Sequence, residues 1–318
     1  MLSLLVTGGC GFIGSNFIEM VLKDKRNDIS RVVNLDALTY AGTLNNTEDF
    51  SDDEKYFFEK TDLCSLSELL EVFERHRITH VVHFAAESHV DNSIADPDAF
   101  IDSNIVGTFN LLKAARQHKV KKFHHVSTDE VYGDLGDDGK FSETTPYNPH
   151  NPYSASKAAS DFLVKSYFHT YNLPITISNC SNNYGPRQHA EKFIPTVIRS
   201  ILNGKKIPLY GEGTNIRDWI YVMDHCEGVW SVFKNGELGE TYCIGSNCEK
   251  KNIEIIETIC DILEVIPSES IEYVKDRAGH DYRYAIDNTK ITENLNWESK
   301  VSFLQGMKKT IEWYNERY

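Results

Sequence analysis

Leu4-Leu-Val-Thr-Gly-Gly-Cys-Gly-Phe-Ile-Gly14 runs an apolar, β-rich segment into three spaced glycines and then into a helical pattern. Gly8, Gly11 and Gly14 carry no side chains, so backbone there can approach a diphosphate closely. A helix opening at Phe12 and Ile13 offers free N–H groups and a positive dipole end to that anion. A glycine triplet alone also serves plain turns. Its strand–turn–helix context makes this one a dinucleotide site. Asp36 closes the next apolar run, about 20 residues further on, where a carboxylate accepts both adenosine ribose hydroxyls and repels a 2′-phosphate. The expected cofactor is therefore NAD rather than NADP. Asp62 and Leu63 follow the third run, at a position suited to adenine.

Beyond the turn, short β-rich runs at 2–7, 32–35, 56–60, 80–85, 122–127 and 174–179 alternate with helical patterns at 15–25, 65–75, 99–117 and 156–171. Such alternation predicts an α/β fold with a doubly wound parallel sheet of the Rossmann kind. The second half is less regular. Gly, Asn and Pro around 182–186, 203–208 and 211–215 mark loops, and amphipathic helices are expected at 194–202, 223–233, 253–263 and 304–314. We expect residues 1–178 with about 217–246 to form the NAD-binding domain. Residues 179–216 with 247–318 would form a smaller, mixed α/β substrate-binding domain, with the pocket between the two.

The bulk properties narrow the partners. A formal charge of −14 over 318 residues argues against nucleic acid or an anionic membrane. No apolar run approaches the roughly 18 residues needed to span a bilayer, and Leu2–Val6 reads as a first strand. Seven cysteines at irregular spacing fit a reducing, cytoplasmic setting. His124 and His125 alternate along one strand and point to opposite faces, so they cannot act together as ligands. No metal site is expected.

Tyr153-Ser-Ala-Ser-Lys157 sets Tyr and Lys one helical turn apart on one face. The ammonium should stabilise a phenolate and lower the Tyr153 pKa, readying it to take a proton from a sugar hydroxyl. Val126-Ser-Thr-Asp-Glu-Val-Tyr132 ends an apolar strand and so lies at the carboxyl edge of the sheet. There Thr128 can hydrogen-bond the reacting hydroxyl. Asp129 and Glu130 place two carboxyls beside one substrate. Dehydration needs a base for a carbon-bound proton and an acid for the leaving hydroxyl, and two carboxyls in unlike surroundings can divide those roles.

With these residues in view, the chain resembles the extended short-chain dehydrogenase/reductase superfamily and, within it, the dTDP-glucose 4,6-dehydratases. The resemblance spans nearly the whole length. It rests on the glycine turn, Asp36-Ala-Leu-Thr-Tyr-Ala-Gly42, Ala85-Ala-Glu-Ser-His-Val-Asp91, Ser127-Thr-Asp-Glu-Val-Tyr-Gly133, Tyr153-Ser-Ala-Ser-Lys157, Asn179-Cys-Ser-Asn-Asn-Tyr-Gly-Pro186, Arg217-Asp-Trp219 and Asp276-Arg-Ala-Gly-His-Asp281. It implies a three-stage cycle. Tyr153 takes the 4-hydroxyl proton while hydride passes from carbon 4 to NAD. Glu130 removes the carbon 5 proton as Asp129 protonates the departing 6-hydroxyl. The hydride then returns to carbon 6, so the reaction is a hydro-lyase reaction without net oxidation, and a homodimer is the implied assembly.

The resemblance further implies that Leu38, Thr39, Ala41 and Gly42 lie in the cofactor loop. It sets His83, Ala85, Ala86 and the backbone around Asn179 toward the nicotinamide. Ser88, His89, Asn182, Lys192, Arg217, Asn252, Arg277 and His280 would hold sugar, phosphate or base. The loop Pro186-Arg-Gln-His-Ala-Glu-Lys192 and Ala278 depart from the usual pattern on the nucleotide side, leaving thymine or uracil open. Two other readings remain: a UDP-sugar 4-epimerase, which would not need Asp129 and Glu130, and a non-catalytic NAD-binding regulatory protein.

Overall fold

The computed structural model describes residues 2–24, 28–276 and 280–317. The first half comprises β1 (Leu2–Thr7), α1 (Phe12–Lys23), β2 (Ile29–Asp36), β3 (Tyr56–Lys60), α2 (Leu66–His76), β4 (His80–His83), α3 (Val90–Ala95), α4 (Asp98–Phe100), α5 (Thr108–Gln117), β5 (Lys122–Thr128), α6 (Pro152–Tyr171) and β6 (Ile175–Cys180). There follow β7 (Asn182–Tyr184), α7 (Phe193–Leu202), β8 (Ile207–Tyr210), β9 (Ile216–Tyr221), α8 (Val222–Asn235), β10 (Thr241–Ile244), β11 (Glu249–Lys251), α9 (Asn252–Ile262), α10 (Pro267–Ser270), β12 (Ile271–Val274), α11 (Thr289–Leu295) and α12 (Phe303–Asn315).

Seven strands form one sheet in the order β10-β6-β5-β4-β1-β2-β3, every neighbouring pair parallel. The expected doubly wound sheet is present. β1 is buried along its whole length, as a central strand covered on both faces must be. One face packs on α1 and α8 through Phe17, Ile18, Val229 and Phe233. The other packs on α2, α5 and α6 through Leu69, Phe73, Leu111 and Val164. The order reverses between β1 and β4, which opens a crevice at their carboxyl ends. A three-stranded sheet β11-β9-β7 and a two-stranded pair β12-β8 make the smaller part. Its core joins α7, α9 and α12 through Val197, Ile259 and Met307.

Three local expectations change. The stretch 99–117, read as one helix, is interrupted: Ile101–Gly107 winds as a π-helix between α4 and α5. The cause is Asn104, buried at 1% exposure. Its amide donates to the Glu87 carbonyl at 3.0 Å and the Ser156 hydroxyl at 2.8 Å, and its oxygen accepts from the Glu87 N–H at 2.9 Å. A side chain held on both sides in this way explains the wider turn, a distortion frequent near functional sites. Second, 182–186 is not all loop, because β7 pairs in parallel with β9.

Third, α6 starts at Pro152 rather than at residue 156. Asn151 caps it by accepting from the Ser154 N–H at 2.9 Å, while Ser154 Oγ accepts from the Asn151 N–H at 3.2 Å. This cap brings Tyr153 into the first turn. Asn151→Ala should lower unfolding stability by about 1 kcal/mol in a urea titration.

Candidate active site

The crevice at the carboxyl edge is a cavity of about 320 Å³ running from the glycine turn to α6. That lies within the ~300–1,000 Å³ range of small-molecule sites. Its phosphate-side wall is backbone. Gly8 has φ of 71°, and a Cβ on it would stand 2.7 Å from the Ala85 backbone. A Cβ on Gly14 would stand 2.3 Å from the Gly8 carbonyl oxygen, so only glycine lets α1 begin this close to β1. Gly11, Phe12 and Ile13 complete this wall.

Asp36 ends β2 at the cavity. Its carboxylate accepts from the Cys10 N–H at 2.9 Å and the Leu38 N–H at 2.8 Å. Leu38 therefore orients Asp36 from its backbone and does not line the cavity. Thr39, Ala41, Gly42, Asp62, Leu63, Ala85 and Ala86 do.

The chemical end gathers Thr128, Asp129, Glu130, Tyr153 and Lys157 on one wall. β5 delivers Thr128, and a 3₁₀ turn over Asp129–Tyr132 turns the two acids inward. Thr128 Oγ1 accepts from the Glu130 N–H at 3.2 Å and donates to Asp129 Oδ1 at 3.3 Å. Asp129 is 1% exposed, and its Oδ2 has no hydrogen-bond partner among the described residues. Burial, then the charges of Glu130 and Asp218, push its carboxyl well above the usual range, against the opposing pull of Arg217. Asp218 is itself pushed up to about 6 by burial. That shift is in the direction a general acid requires.

Tyr153 departs from expectation. Burial raises its phenol well above 10, and the charges of Glu130, Cys180 and Asp129 add to this, while a hydrogen bond with Thr128 works the other way. The lysine does not offset them. Lys157 Nζ donates to the Val126 carbonyl at 2.9 Å, and burial lowers its own pKa. The sequence pairing placed the ammonium beside the phenol but could not show how many negative neighbours the phenol also has.

The remaining expected residues divide. Ser88, Asn182 and Lys192 line the cavity, and Lys192 Nζ donates to the Ser88 carbonyl at 2.6 Å. His83 and Asn179 lie behind the wall. His83 is bonded to the Thr7 hydroxyl at 2.7 Å and the Thr108 hydroxyl at 2.9 Å. Asn179 donates to the Thr128 carbonyl at 3.0 Å, and its neighbours Cys180 and Ser181 reach the cavity instead.

His89, Arg217, Asn252 and His280 are not in the wall. His89 caps α3, accepting from the Asn92 N–H at 3.3 Å. Arg217 donates to the carbonyls of Ile216, Asp281 and Tyr282 and lies 4.1 Å over the Tyr284 ring. Asn252 begins α9, and His280 Nδ1 lies 2.7 Å from Asp276 Oδ1. Arg277 falls outside the described residues.

The departing loop contributes Gln188, His189, Glu191 and Lys192 to the wall. Arg187 points the other way, with its guanidinium 2.6 Å from Glu19 on α1 and 2.6 Å from Asp49.

The GDP-mannose 4,6 dehydratase family signature matches residues 5–310. A dTDP-glucose 4,6-dehydratase of Neisseria meningitidis is 48% identical over 99% of this chain and 93% of its own. The chain belongs to this family, in its dTDP-glucose 4,6-dehydratase branch. Two solved members of the branch share the fold. DesIV of Streptomyces venezuelae, crystallised with NAD and TYD bound, superposes with a TM-score of 0.97 at 42% identity, covering 99% of this chain and 98% of that one. The Bacillus anthracis dTDP-glucose 4,6-dehydratase, in complex with NAD, gives 0.92 at 43% identity, covering 100% and 97%.

An acid role for Asp129 has a direct signature in this dehydratase-family chain. Infrared difference spectra at pH 7 between the native protein and Asp129→Asn should contain a protonated-carboxyl stretch from the native protein. The band should fade as pH rises through the elevated pKa, since the acid form exists only below it. A native protein with no such band would remove Asp129 as the acid.

Proposed function

We propose that the protein carries out NAD-dependent 4,6-dehydration of dTDP-glucose to the nucleotide-linked 4-keto-6-deoxy sugar. The observation that carries this reading is the pair of acids at the end of β5, sharing one cavity wall with Tyr153 and Lys157. A 4-epimerase needs the Tyr–Lys pair alone. A non-catalytic NAD-binding protein would have no use for a buried Asp129 whose carboxyl is held well above its usual range.

The residues present fit NAD. A Cβ on Gly8 or Gly14 would strike backbone and force the tight turn apart, and Asp36, at the end of β2 on the cavity, would accept the ribose hydroxyls. Bound there, NAD supplies reversible oxidation of a sugar carbon. The chain's groups hold and move protons around it. Tyr153 would accept the 4-hydroxyl proton as its phenolate, a form that positive charge on Lys157 and on an oxidised nicotinamide would favour. Thr128 orients that hydroxyl. Glu130 takes the carbon 5 proton, made acidic by the new ketone, and Asp129 gives its proton to the leaving 6-hydroxyl. The remaining cofactor, sugar and phosphate roles set out for the wall residues form part of this proposal.

We assign the larger sheet and its helices to the cofactor, and residues 179–216 with 247–318 to the sugar nucleotide. The return to the larger sheet starts with α8 rather than at residue 217, because β9 pairs with β7 and β11. UDP-glucose is the second substrate to test, since the wall from Gln188 to Lys192 departs from the usual pattern. Among the described residues no helix is long and apolar enough to cross a membrane, and seven free thiols suit a cytoplasmic location. A homodimer through α5 and α6 is supported by exposed Phe109 and Phe162 on these helices.

Two outcomes are expected. Purified protein given dTDP-glucose should release a product lighter by one water. Glu130→Gln should lower that turnover by at least ~10²-fold while carbon 4 oxidation persists, seen as reduced-nicotinamide absorbance. Normal product formation by Glu130→Gln would falsify the assignment. In sedimentation, Phe162→Glu should convert the dimer to monomer, and an unchanged mass would place the interface elsewhere.

A further inference from the structure

One buried charge has no part in the proton transfers above. Asp161 lies one turn beyond Lys157 on α6, is 0% exposed and does not line the cavity. Its Oδ2 accepts from Ser127 Oγ at 3.0 Å, Tyr147 Oη at 2.8 Å and Asn179 Nδ2 at 3.3 Å. His125 Nε2 lies 3.1 Å from Oδ1. Ionised carboxylate is an acceptor with room for about four donors, and a buried charge without such donors would be very costly. Burial alone would raise its pKa, but hydrogen bonding by His125, with Lys157's charge and Ser127, outweighs burial and holds the group ionised.

The donors come from informative places. Ser127 immediately precedes Thr128. Asn179 Nδ2 also donates to the Thr128 carbonyl at 3.0 Å. The β5–β6 ladder ends at the pair Thr128 and Cys180, so Asp129 and Glu130 project beyond the last strand pairing. What sets their position is the end of β5, and that end is tied to α6 at Asp161. We infer that Asp161 is a positioning residue that registers the redox pair on α6, Tyr153 and Lys157, against the elimination pair after β5, Asp129 and Glu130.

This inference rests on the dehydration reading. Its test is the balance between two steps rather than total activity. Asp161→Asn removes the charge that holds Ser127, Tyr147 and Asn179 and so weakens the tie on the end of β5; because that charge also supports the Lys157 ammonium, Ser127→Ala, which keeps it, isolates the tie itself. In stopped flow with dTDP-glucose, Asp161→Asn should retain NAD, lose ~10–100-fold in turnover and keep KM within about twofold. Reduced nicotinamide should accumulate to a larger fraction than in the native enzyme, because carbon 4 oxidation outruns water loss. Ser127→Ala, which removes one donor and leaves the charge, should shift the balance the same way by less, and it decides the matter if Asp161→Asn does not fold. Equal slowing of both steps, or an unchanged fraction of reduced cofactor in the folded variants, would overturn the inference. A native protein that does not turn over dTDP-glucose would overturn the dehydration reading instead.

Discussion

The approach of the Gly14 backbone to the Gly8 carbonyl is the contact on which the rest of the site depends. A Cβ on Gly14 would sit 2.3 Å from that oxygen, so α1 can start against β1 only if the position is bare. The contact fixes the angle of α1 on the sheet and leaves its first N–H groups facing the cavity. It lies beside the place where strand order reverses between β1 and β4, the one edge where no crossover covers the sheet. A cavity of this shape follows from topology and from the absence of two side chains, before any polar group is considered.

Chemistry then enters through burial of charge. The wall at the end of β5 gathers carboxyls in little solvent: Asp129, Glu130 and, behind them, Asp218. Like charges in a dry site resist ionising together, and burial with the charges of Glu130 and Asp218 pushes the Asp129 carboxyl well above its usual range. Burial, with the charge of Glu130 next, likewise raises the Tyr153 phenol. A phenol whose ionisation awaits positive charge, next to a carboxyl raised well above its usual range, suits an ordered sequence of oxidation and elimination. Asp161 is the counterpart on the far side of the wall. Three donors on one oxygen and His125 beside the other favour its ionised form, whereas Thr128 alone donates to Asp129 among the described residues.

The smaller part shows where two arginines direct their donors. Arg217 suits a diphosphate by chemistry, yet its donors go to the carbonyls of Ile216, Asp281 and Tyr282. Its charge still reaches Asp129, so it acts on the acid by field rather than by contact with the cavity. Arg187, in the loop that departs from the usual pattern, joins α1 to the 3₁₀ turn Leu44–Phe50 and contributes nothing to the wall. Gln188, His189 and Glu191, its neighbours, are the residues that do.

Periodicity, glycine spacing and short motifs by themselves determined the strand order class, the phosphate turn, Asp36, the Tyr–Lys pair and the two acids after β5. Each of these is a local property: alternation of 2 or 3.6 residues, or groups a few positions apart on one element. Asp161 was within reach of the same reasoning, since it continues the Tyr153–Lys157 spacing by one more turn, but its three donors come from residues distant in sequence or on other elements. Tertiary structure alone decided the sign of the Tyr153 shift, the raised pKa of Asp129, the π-helix around Asn104 and the direction of Arg217. These depend on which charges and carbonyls packing brings within a few ångströms from distant parts of the chain, and on how much water it removes around them.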